Sequence, residues 1–210
     1  MKLSPAPARN KWDRRYAGCT LEDLADPTPF LLSCLPELPP TGLALDVAAG
    51  AGRHALILAQ QGLQVDAVDI SWQGLRLARL RAAQAGLWPG SIDFVVADLE
   101  LAWLPKRGYD VVVVSFFLFR PLLPVIKDRL RPGGRLVYET RVEPPPDNRS
   151  DSHRREFWLK PRELLDAFSD FDVLRYDEGH RRRSGGREGG VTARLLARKP
   201  VLVRGNTLPS

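Results

Sequence analysis

Three aspartates and a glycine loop in the first half of the chain have residue types and spacing that suit a small polar ligand. Asp46 precedes the run AAGAG at 48–52, and Asp69 and Asp98 each end a later apolar segment. A glycine loop before a helix lets the backbone approach a ligand closely, and carboxylates accept hydrogen bonds from hydroxyl and ammonium groups. Asp46 stands beside this loop, where it would repel a phosphate. The pattern therefore predicts a ligand with a cationic head and hydroxyl groups.

The segments that carry these acids have strand patterns and alternate regularly with helical patterns. Strands are predicted at 43–48, 63–70, 92–98, 109–117, 135–141, 171–178 and 191–199, and helices at 53–61, 72–86, 121–130 and 160–168. The order predicts an α/β fold with a doubly wound, mostly parallel, seven-stranded Rossmann-like sheet. The last two strands have no helix between them, which predicts an antiparallel C-terminal hairpin. Because ligands bind outside the carboxyl ends of parallel strands, the three acids should share one rim.

Length and composition narrow the class of protein. The chain has 210 residues, of which 44% are hydrophobic and 27% charged, as is typical of one globular domain. We assign that domain to 41–200, an N-terminal helical or lid segment to 1–40 and a tail to 201–210. The longest apolar run, at 111–119, is too short for a membrane-spanning helix, so a cytoplasmic protein without a membrane partner is expected.

The net charge of +6 is local. Residues 175–204 contain nine basic and three acidic residues, which accounts for the whole excess. Because the rest of the chain is neutral, nucleic-acid binding by the protein surface as a whole is disfavoured. Local binding through Arg181–Arg183, in a predicted loop, remains an alternative. Cys19 and Cys34 have no metal-ligand spacing, so no metal is predicted. The sequence leaves the oligomeric state open.

The run GAGRHA at 50–55 also matches the fingerprint of dinucleotide-binding domains. Asp69 follows it at about the sequence separation expected for the acid that binds the ribose. A NAD(P)-dependent oxidoreductase is therefore one alternative function. Asp46 and Asp98 disfavour it, because the first would repel a pyrophosphate and a dinucleotide site has no need of the second. A non-catalytic RNA- or nucleotide-binding module that uses Arg181–Arg183 is another alternative.

The stretch LALDVAAGAGRHALILAQQGLQVDAVDIS at 43–71 resembles the first two motifs of the class I S-adenosylmethionine-dependent methyltransferases. S-adenosyl-L-methionine has an ammonium group, a sulfonium, a ribose diol and an adenine amine, and it has no phosphate. The segments at 109–117 and 130–140 resemble the fourth strand of that family and the segment after it. The resemblance covers about 41–141 and implies the Rossmann-like methyltransferase fold.

This resemblance implies a set of cofactor-binding residues. The acid matching Asp46 would lie near the methionine amine, the acid matching Asp69 would bind both ribose hydroxyls, and the acid matching Asp98 would bind the adenine amine. The glycine loop would approach the nucleoside. The full implied set is Asp46, Ala48, Gly50, Gly52, Asp69, Ile70, Asp98, Leu99 and Ser115. Ala48 departs from the family, which usually has glycine there.

Within the class, the chain is most similar to the small-molecule branch that includes tellurite-resistance methyltransferases. The similarity lies in the WDRRY run at 12–16, in Arg120 after the fourth strand and in Glu139 near the end of the fifth. It implies methyl transfer to a small-molecule acceptor. The guanidinium of Arg120 favours an acceptor with an anionic group. An anionic or soft acceptor with S, Se or Te needs no base, and the sequence offers no convincing base at the rim.

Three residues are candidates for catalysis on the acceptor side: Arg120, Glu139 and His54. Arg120 has a salt bridge as its alternative role. His54 follows the glycine loop, where a helix N-terminus favours the neutral imidazole; its alternative role is that of a surface or rim histidine. Trp12 and Tyr16 are expected either to cover the cofactor or to pack an N-terminal helix.

Overall fold

The computed structural model describes residues 7–143, 157–182 and 188–201, and of residues 181, 182, 188 and 189 only the backbone. This part of the chain contains one sheet of seven strands. They are β1 (Gly42–Val47), β2 (Leu63–Asp69), β3 (Ile92–Val96), β4 (Tyr109–Ser115), β5 (Leu130–Arg141), β6 (Asp172–Arg182) and β7 (Glu188–Arg198). The helices of the same residues are α1 (Pro7–Ala17), α2 (Pro29–Cys34), α3 (Arg53–Gln60), α4 (Trp72–Gln84), α5 (Leu123–Arg129) and α6 (Glu163–Ala167).

The strand order is β3-β2-β1-β4-β5-β7-β6. The first five strands pair in parallel with one another, and β7 is antiparallel to both β5 and β6. The predicted doubly wound sheet with an antiparallel C-terminal hairpin is therefore confirmed. In this order β1 and β4 lie side by side at the centre, which brings the glycine loop after β1 next to the end of β4.

Apolar side chains on both faces of the central strands form the core. In β4, Val111 and Val113 face α2, α3 and α4, whereas Val112 and Val114 face the opposite cluster that includes α5 and α6. All four valines are fully buried, as the unbroken β-branched run predicts for a central parallel strand. We call the side covered by α2, α3 and α4 the α3 face.

Some element boundaries differ from those predicted. A short helix in the N-terminal segment, α2, begins at Pro29, whose missing N–H costs nothing in a first turn, and Thr28 accepts a hydrogen bond from Leu31 N–H at 3.3 Å. The strand β5 begins at Leu130 rather than at 135, because Leu130 already pairs with Tyr109 ahead of a register shift. Between β3 and β4 there is only a 3-10 turn at Leu99–Leu101, as expected from the short segment there.

The N-terminal segment is bound to the rest of the fold by arginines. Arg53 and Arg81 donate to the carbonyl oxygens of Asp26 and Ala25 at 3.3 and 3.0 Å. Arg175 of β6 donates to the Ser33 carbonyl of α2 at 2.8 Å. These contacts fix the segment before β1 across the α3 face. In the part of the chain that the structure describes, no helix is long and apolar enough to cross a membrane.

Candidate functional site

The loop between β1 and α3 has an unusual backbone. Ala48, Gly50 and Gly52 all have positive φ angles, of 57°, 56° and 71°. At Gly52 a side chain is also excluded by space, because a Cβ there would lie 2.6 Å from the Cβ of Ala78. Ala48 adopts the left-handed conformation in spite of its methyl group, which costs about 1–2 kcal/mol. Ala48 therefore has a backbone conformation that favours glycine, at the cost of strain.

Asp69, the last residue of β2, connects this loop to α4. Its Oδ2 accepts a hydrogen bond from Gly50 N–H and its Oδ1 accepts one from Ser71 N–H, both at 2.8 Å. The side chain is almost completely buried, and this burial raises the pKa of the carboxyl. A carboxylate has about four acceptor positions, so each oxygen can accept a further hydrogen bond. Asp69 can thus shape the loop and bind a pair of hydroxyl groups.

Asp46 lies on β1 beneath the start of α3. Its Oδ2 accepts a hydrogen bond from Ala55 N–H at 2.9 Å, whereas its Oδ1 is buried without a hydrogen-bond partner among the described residues. Burial raises the pKa of Asp46 to about 7, although the nearby Arg53 opposes the shift. A buried acceptor without a donor costs about 1–3 kcal/mol. The free oxygen is the partner that an ammonium group would need.

The other predicted cofactor residues lie along the same rim. Asp98 follows β3 and accepts a hydrogen bond from Glu100 N–H at 3.0 Å, which puts it at the start of the 3-10 turn with Leu99 buried behind it. Ile70 follows β2 and Ser115 is the last residue of β4, and both are partly exposed. Parallel pairing of β1 with β2 and β4 and of β2 with β3 brings these ends together, as the topology predicts.

The three candidates for catalysis have different surroundings. The guanidinium of Arg120 forms a two-point ion pair with Glu163, at 2.5 and 2.8 Å, and also donates to the Trp158 carbonyl. His54 is buried, and its Nε2 accepts a hydrogen bond from Thr28 N–H at 3.3 Å. Burial lowers the pKa of His54 to about 3, so the ring is neutral at physiological pH and its accepting nitrogen is already used.

Glu139 differs from the other two candidates because part of its carboxylate is unused. The side chain is 4% exposed, and Oε1 lies 3.5 Å from Nε of Arg194. Its Oε2 has no hydrogen-bond partner among the described residues. Of the three predicted catalytic residues, Glu139 is therefore the one whose surroundings best suit a direct contact with a ligand.

Sequence reasoning did not assign roles to Asp13 and Arg53. Oδ1 of Asp13 accepts hydrogen bonds from Ser71 Oγ at 2.7 Å and Gln73 N–H at 3.1 Å, so α1 is attached to the start of α4. Arg53 lies over the ring of Phe116, 5.9 Å from its centre, and connects α3 with the end of β4. The WDRRY run contains Asp13, but nothing in the sequence indicates which of its residues bonds to α4.

Replacing Arg120 by alanine should lower stability modestly and leave cofactor affinity within about threefold. The ion pair with Glu163 is partly exposed, so screening limits its contribution to about 1 kcal/mol or less, or a decrease of a few degrees in Tm. A thermal double-mutant cycle with Glu163→Ala measures this coupling. If the two single variants are as stable as the wild type and Arg120→Ala loses cofactor affinity, Arg120 belongs to the cofactor site instead.

Comparisons with known proteins agree with this geometry. Residues 44–134 match the family of methyltransferase domains. A ubiquinone biosynthesis O-methyltransferase of Idiomarina loihiensis is 31% identical over 102 residues, which cover 46% of this chain and 41% of that protein. The chain spans about half the length of the curated relatives it matches.

Two solved structures have the same fold. TehB from Haemophilus influenzae aligns with a TM-score of 0.71 at 20% identity, over 91% of this chain and 66% of that one. The N-methyltransferase NodS from Bradyrhizobium japonicum, in complex with S-adenosyl-L-homocysteine, aligns with a TM-score of 0.64 at 15% identity, over 92% and 98%. At these identities the similarity establishes the fold.

Proposed function

We propose that this chain is a class I S-adenosylmethionine-dependent methyltransferase and that it transfers a methyl group from S-adenosylmethionine to a small-molecule acceptor. The match of residues 44–134 to methyltransferase domains supports the proposal. The observation that carries the proposal is the buried Oδ1 of Asp46, which has no donor among the described residues and lies beside a loop in which three residues have a left-handed backbone. An ammonium group would satisfy this oxygen, whereas a phosphate would be repelled by it.

In this proposal the residues at different strand ends bind different parts of the cofactor. In this proposal Asp46 accepts from the methionine amine, and Asp69 accepts from the ribose hydroxyls while its bond to Gly50 keeps the loop in place. Asp98 accepts from the adenine amine, with the Leu99 amide beside the ring. Gly50 and Gly52 let the backbone approach, and Ile70 and Ser115 complete the walls.

S-adenosylmethionine would supply an electrophilic methyl group on a sulfonium, and a nucleophile in line with the C–S bond would take this methyl group as S-adenosylhomocysteine leaves. The contribution of the protein is mainly to bind and orient the two reactants, an effect worth up to about 7–11 kcal/mol of the barrier. The three acids that bind the cofactor lie at the ends of β1, β2 and β3, so in this proposal the acceptor binds towards β4 and β5, next to the cofactor wall that Ser115 forms. Glu139 and Ser115 lie there, paired across the two strands.

The class of acceptor depends on which charged group meets it. The prediction of an anionic acceptor rested on Arg120, and the guanidinium of that residue is bound to Glu163. The prediction of a soft acceptor with S, Se or Te rested on the lack of a convincing base at the rim. The carboxylate of Glu139 lies on the α3 face at the end of β5 and is only partly paired. These surroundings favour an acceptor with a hydrogen-bond donor over an anion, while a small molecule remains the proposed class.

We further infer that the 1–40 segment acts as a lid over the cofactor, with Tyr16 as its contact. A Cβ at Gly50 would lie 2.5 Å from the Tyr16 hydroxyl, and one at Gly74 would lie 3.1 Å from its ring. Tyr16 therefore packs between the glycine loop and the start of α4. Burial and the nearby Asp69 raise the pKa of the Tyr16 phenol, so its hydroxyl stays protonated and able to donate.

Replacing Tyr16 by alanine is expected to weaken S-adenosyl-L-homocysteine binding about tenfold, because the loop loses the ring that packs on it. Replacement by phenylalanine should change affinity less than threefold. Trp72→Ala is the control, since Trp72 is an aromatic residue of the neighbouring helix that is 58% exposed. Calorimetric Kd values decide: equal affinities for the wild type and Tyr16→Ala would exclude the lid contact.

A thermal shift measurement tests the cofactor class. A ligand at 100 times its Kd stabilises the folded state by about 2.7 kcal/mol, which corresponds to a rise in Tm of roughly 5–10 °C for a chain of this size. S-adenosyl-L-homocysteine should produce such a rise and NAD(P)H should produce none. A shift with NAD(P)H alone would favour the dinucleotide-dependent oxidoreductase instead.

A further inference from the structure

A row of polar side chains crosses the sheet on the α3 face, at the rim beside the cofactor residues. Ser115 of β4 pairs with Glu139 of β5, Glu139 pairs with Arg194 of β7, and Arg194 pairs with Asp177 of β6. Asp46 lies on the same face, because its partner in β4 is Val113, two residues before Ser115. The row therefore continues the cofactor site away from β1 and towards the C-terminal hairpin.

Two buried oxygens of this region lack partners among the described residues. They are Oε2 of Glu139 and Oγ1 of Thr192, whose residues are 3% and 2% exposed. Thr192 is on the same strand and the same face as Arg194, two residues away. Burying an acceptor without a donor costs free energy, so both oxygens are suited to receive a donor from a ligand.

The charges of the row favour a cation. Arg194 is shared by two carboxylates, since it pairs with Asp177 as well as with Glu139. The row therefore has one negative charge in excess. Arg175 reaches this part of the face, but its guanidinium pairs with Glu37 and with the Ser33 carbonyl of α2.

The element above the row is α2, through Cys34. Cys34 is fully buried in the apolar cluster of the α3 face, and this burial raises the pKa of its thiol. The backbone of Glu139 is bound to the residue after β4, because Phe116 N–H donates a hydrogen bond to the Glu139 carbonyl at 2.7 Å. Glu139 is thus held in position by its backbone, while one carboxylate oxygen is left for a ligand.

We propose that Oε2 of Glu139 accepts a hydrogen bond from the nitrogen of an amine that the enzyme methylates. This inference rests on the proposed methyltransferase function and adds the chemical class of the acceptor. The lone pair of the neutral amine forms the new N–C bond as the C–S bond breaks, and the sulfur takes the electrons of that bond. The positive charge moves from sulfur to nitrogen, beside the carboxylate. The N–H proton then passes from the ammonium product to Glu139 or to solvent.

Sinefungin tests the proposal without knowledge of the natural acceptor. It resembles S-adenosyl-L-homocysteine but has an amine at the position of the transferred methyl group. If that position faces Glu139, sinefungin should bind the wild type at least tenfold more tightly than S-adenosyl-L-homocysteine, a difference of about 1.4 kcal/mol. In Glu139→Gln this preference should fall below threefold, while affinity for S-adenosyl-L-homocysteine stays within threefold of the wild type.

Asp172→Asn is the control, because it neutralises a carboxylate that pairs with Arg198 of β7 at an exposed position outside the row. It should keep the preference for sinefungin. The assignment of Glu139 would be overturned if the wild type bound the two ligands equally well, or if the preference for sinefungin survived in Glu139→Gln. The comparison of the two ligands on the wild type tests the proposal even if the variant does not fold. If neither ligand binds the wild type, the proposed methyltransferase function fails first.

Discussion

Replacing Asp69 by alanine is expected to weaken binding of S-adenosyl-L-homocysteine by about 10²-fold or more. In the proposed complex this carboxylate accepts two ribose hydroxyls, and charge-assisted hydrogen bonds contribute about 1.5–3 kcal/mol each. Asp69 also accepts from Gly50 and Ser71 N–H groups, so its loss releases the glycine loop as well. The effect on affinity should therefore exceed that of any other single change at the rim.

The measurement is a calorimetric titration of Asp69→Ala against the wild type, with the melting temperature of each as a check on folding. Glu100→Ala is a suitable control, since Glu100 is an exposed acid in the turn after β3. An unchanged Kd in Asp69→Ala would mean that Asp69 only shapes the turn between β2 and α4.

The affinity for the cofactor is expected to depend on pH through Asp46. Burial raises its pKa to about 7, and only the ionised carboxylate attracts the methionine ammonium. As the pH falls below about 7, Asp46 becomes protonated and binding weakens, so the Kd for S-adenosyl-L-homocysteine should be about tenfold higher at pH 6 than at pH 8. In Asp46→Asn the Kd should be higher throughout and nearly independent of pH in this range.

The same pKa has the opposite consequence for the stability of the free protein. The folded chain keeps a proton on Asp46 that the unfolded chain loses above about pH 4. Stability of the free protein from this group therefore decreases as the pH rises from about 4 to 7. A Kd for the wild type that does not change between pH 6 and pH 8 would contradict the assignment of Asp46 to the ammonium group.

Local patterns were sufficient to predict the sheet and the position of the rim acids. The alternation of strands and helices fixes a parallel sheet, and a parallel sheet brings the ends of β1, β2 and β3 together, so Asp46, Asp69 and Asp98 converge without further information. The antiparallel hairpin followed from the missing helix between β6 and β7. These features depend on contacts between neighbouring elements, and such contacts can be predicted from the periodicity and the length of each segment.

Contacts between distant segments could not be predicted in the same way. Arg120 follows β4 as expected, but its ion pair with Glu163, 43 residues later, depends on where α6 packs. His54 is buried because the segment before α2 brings Thr28 over it, 26 residues earlier in the chain. In both cases the residue type was visible in the sequence and the partner was not.

The partial pairing of Glu139 shows the same limit. The strand pattern predicts its position near the end of the fifth strand, but its relation to Arg194 depends on the register of β5 with β7. That register decides that an arginine lies opposite Glu139. The helix α1 is a similar case, because Asp13 bonds to Ser71 from 58 residues away.

Calorimetric titration of the wild-type chain with S-adenosyl-L-homocysteine, and in parallel with NAD, tests the central claim most directly. The buried, partly unpaired Asp46 and the loop held by Asp69 predict saturable binding of S-adenosyl-L-homocysteine at one site per chain and no binding of NAD. Absence of heat with S-adenosyl-L-homocysteine and with S-adenosylmethionine at millimolar concentration, from a protein shown to be folded by its melting transition, would contradict the assignment of this chain as a methyltransferase.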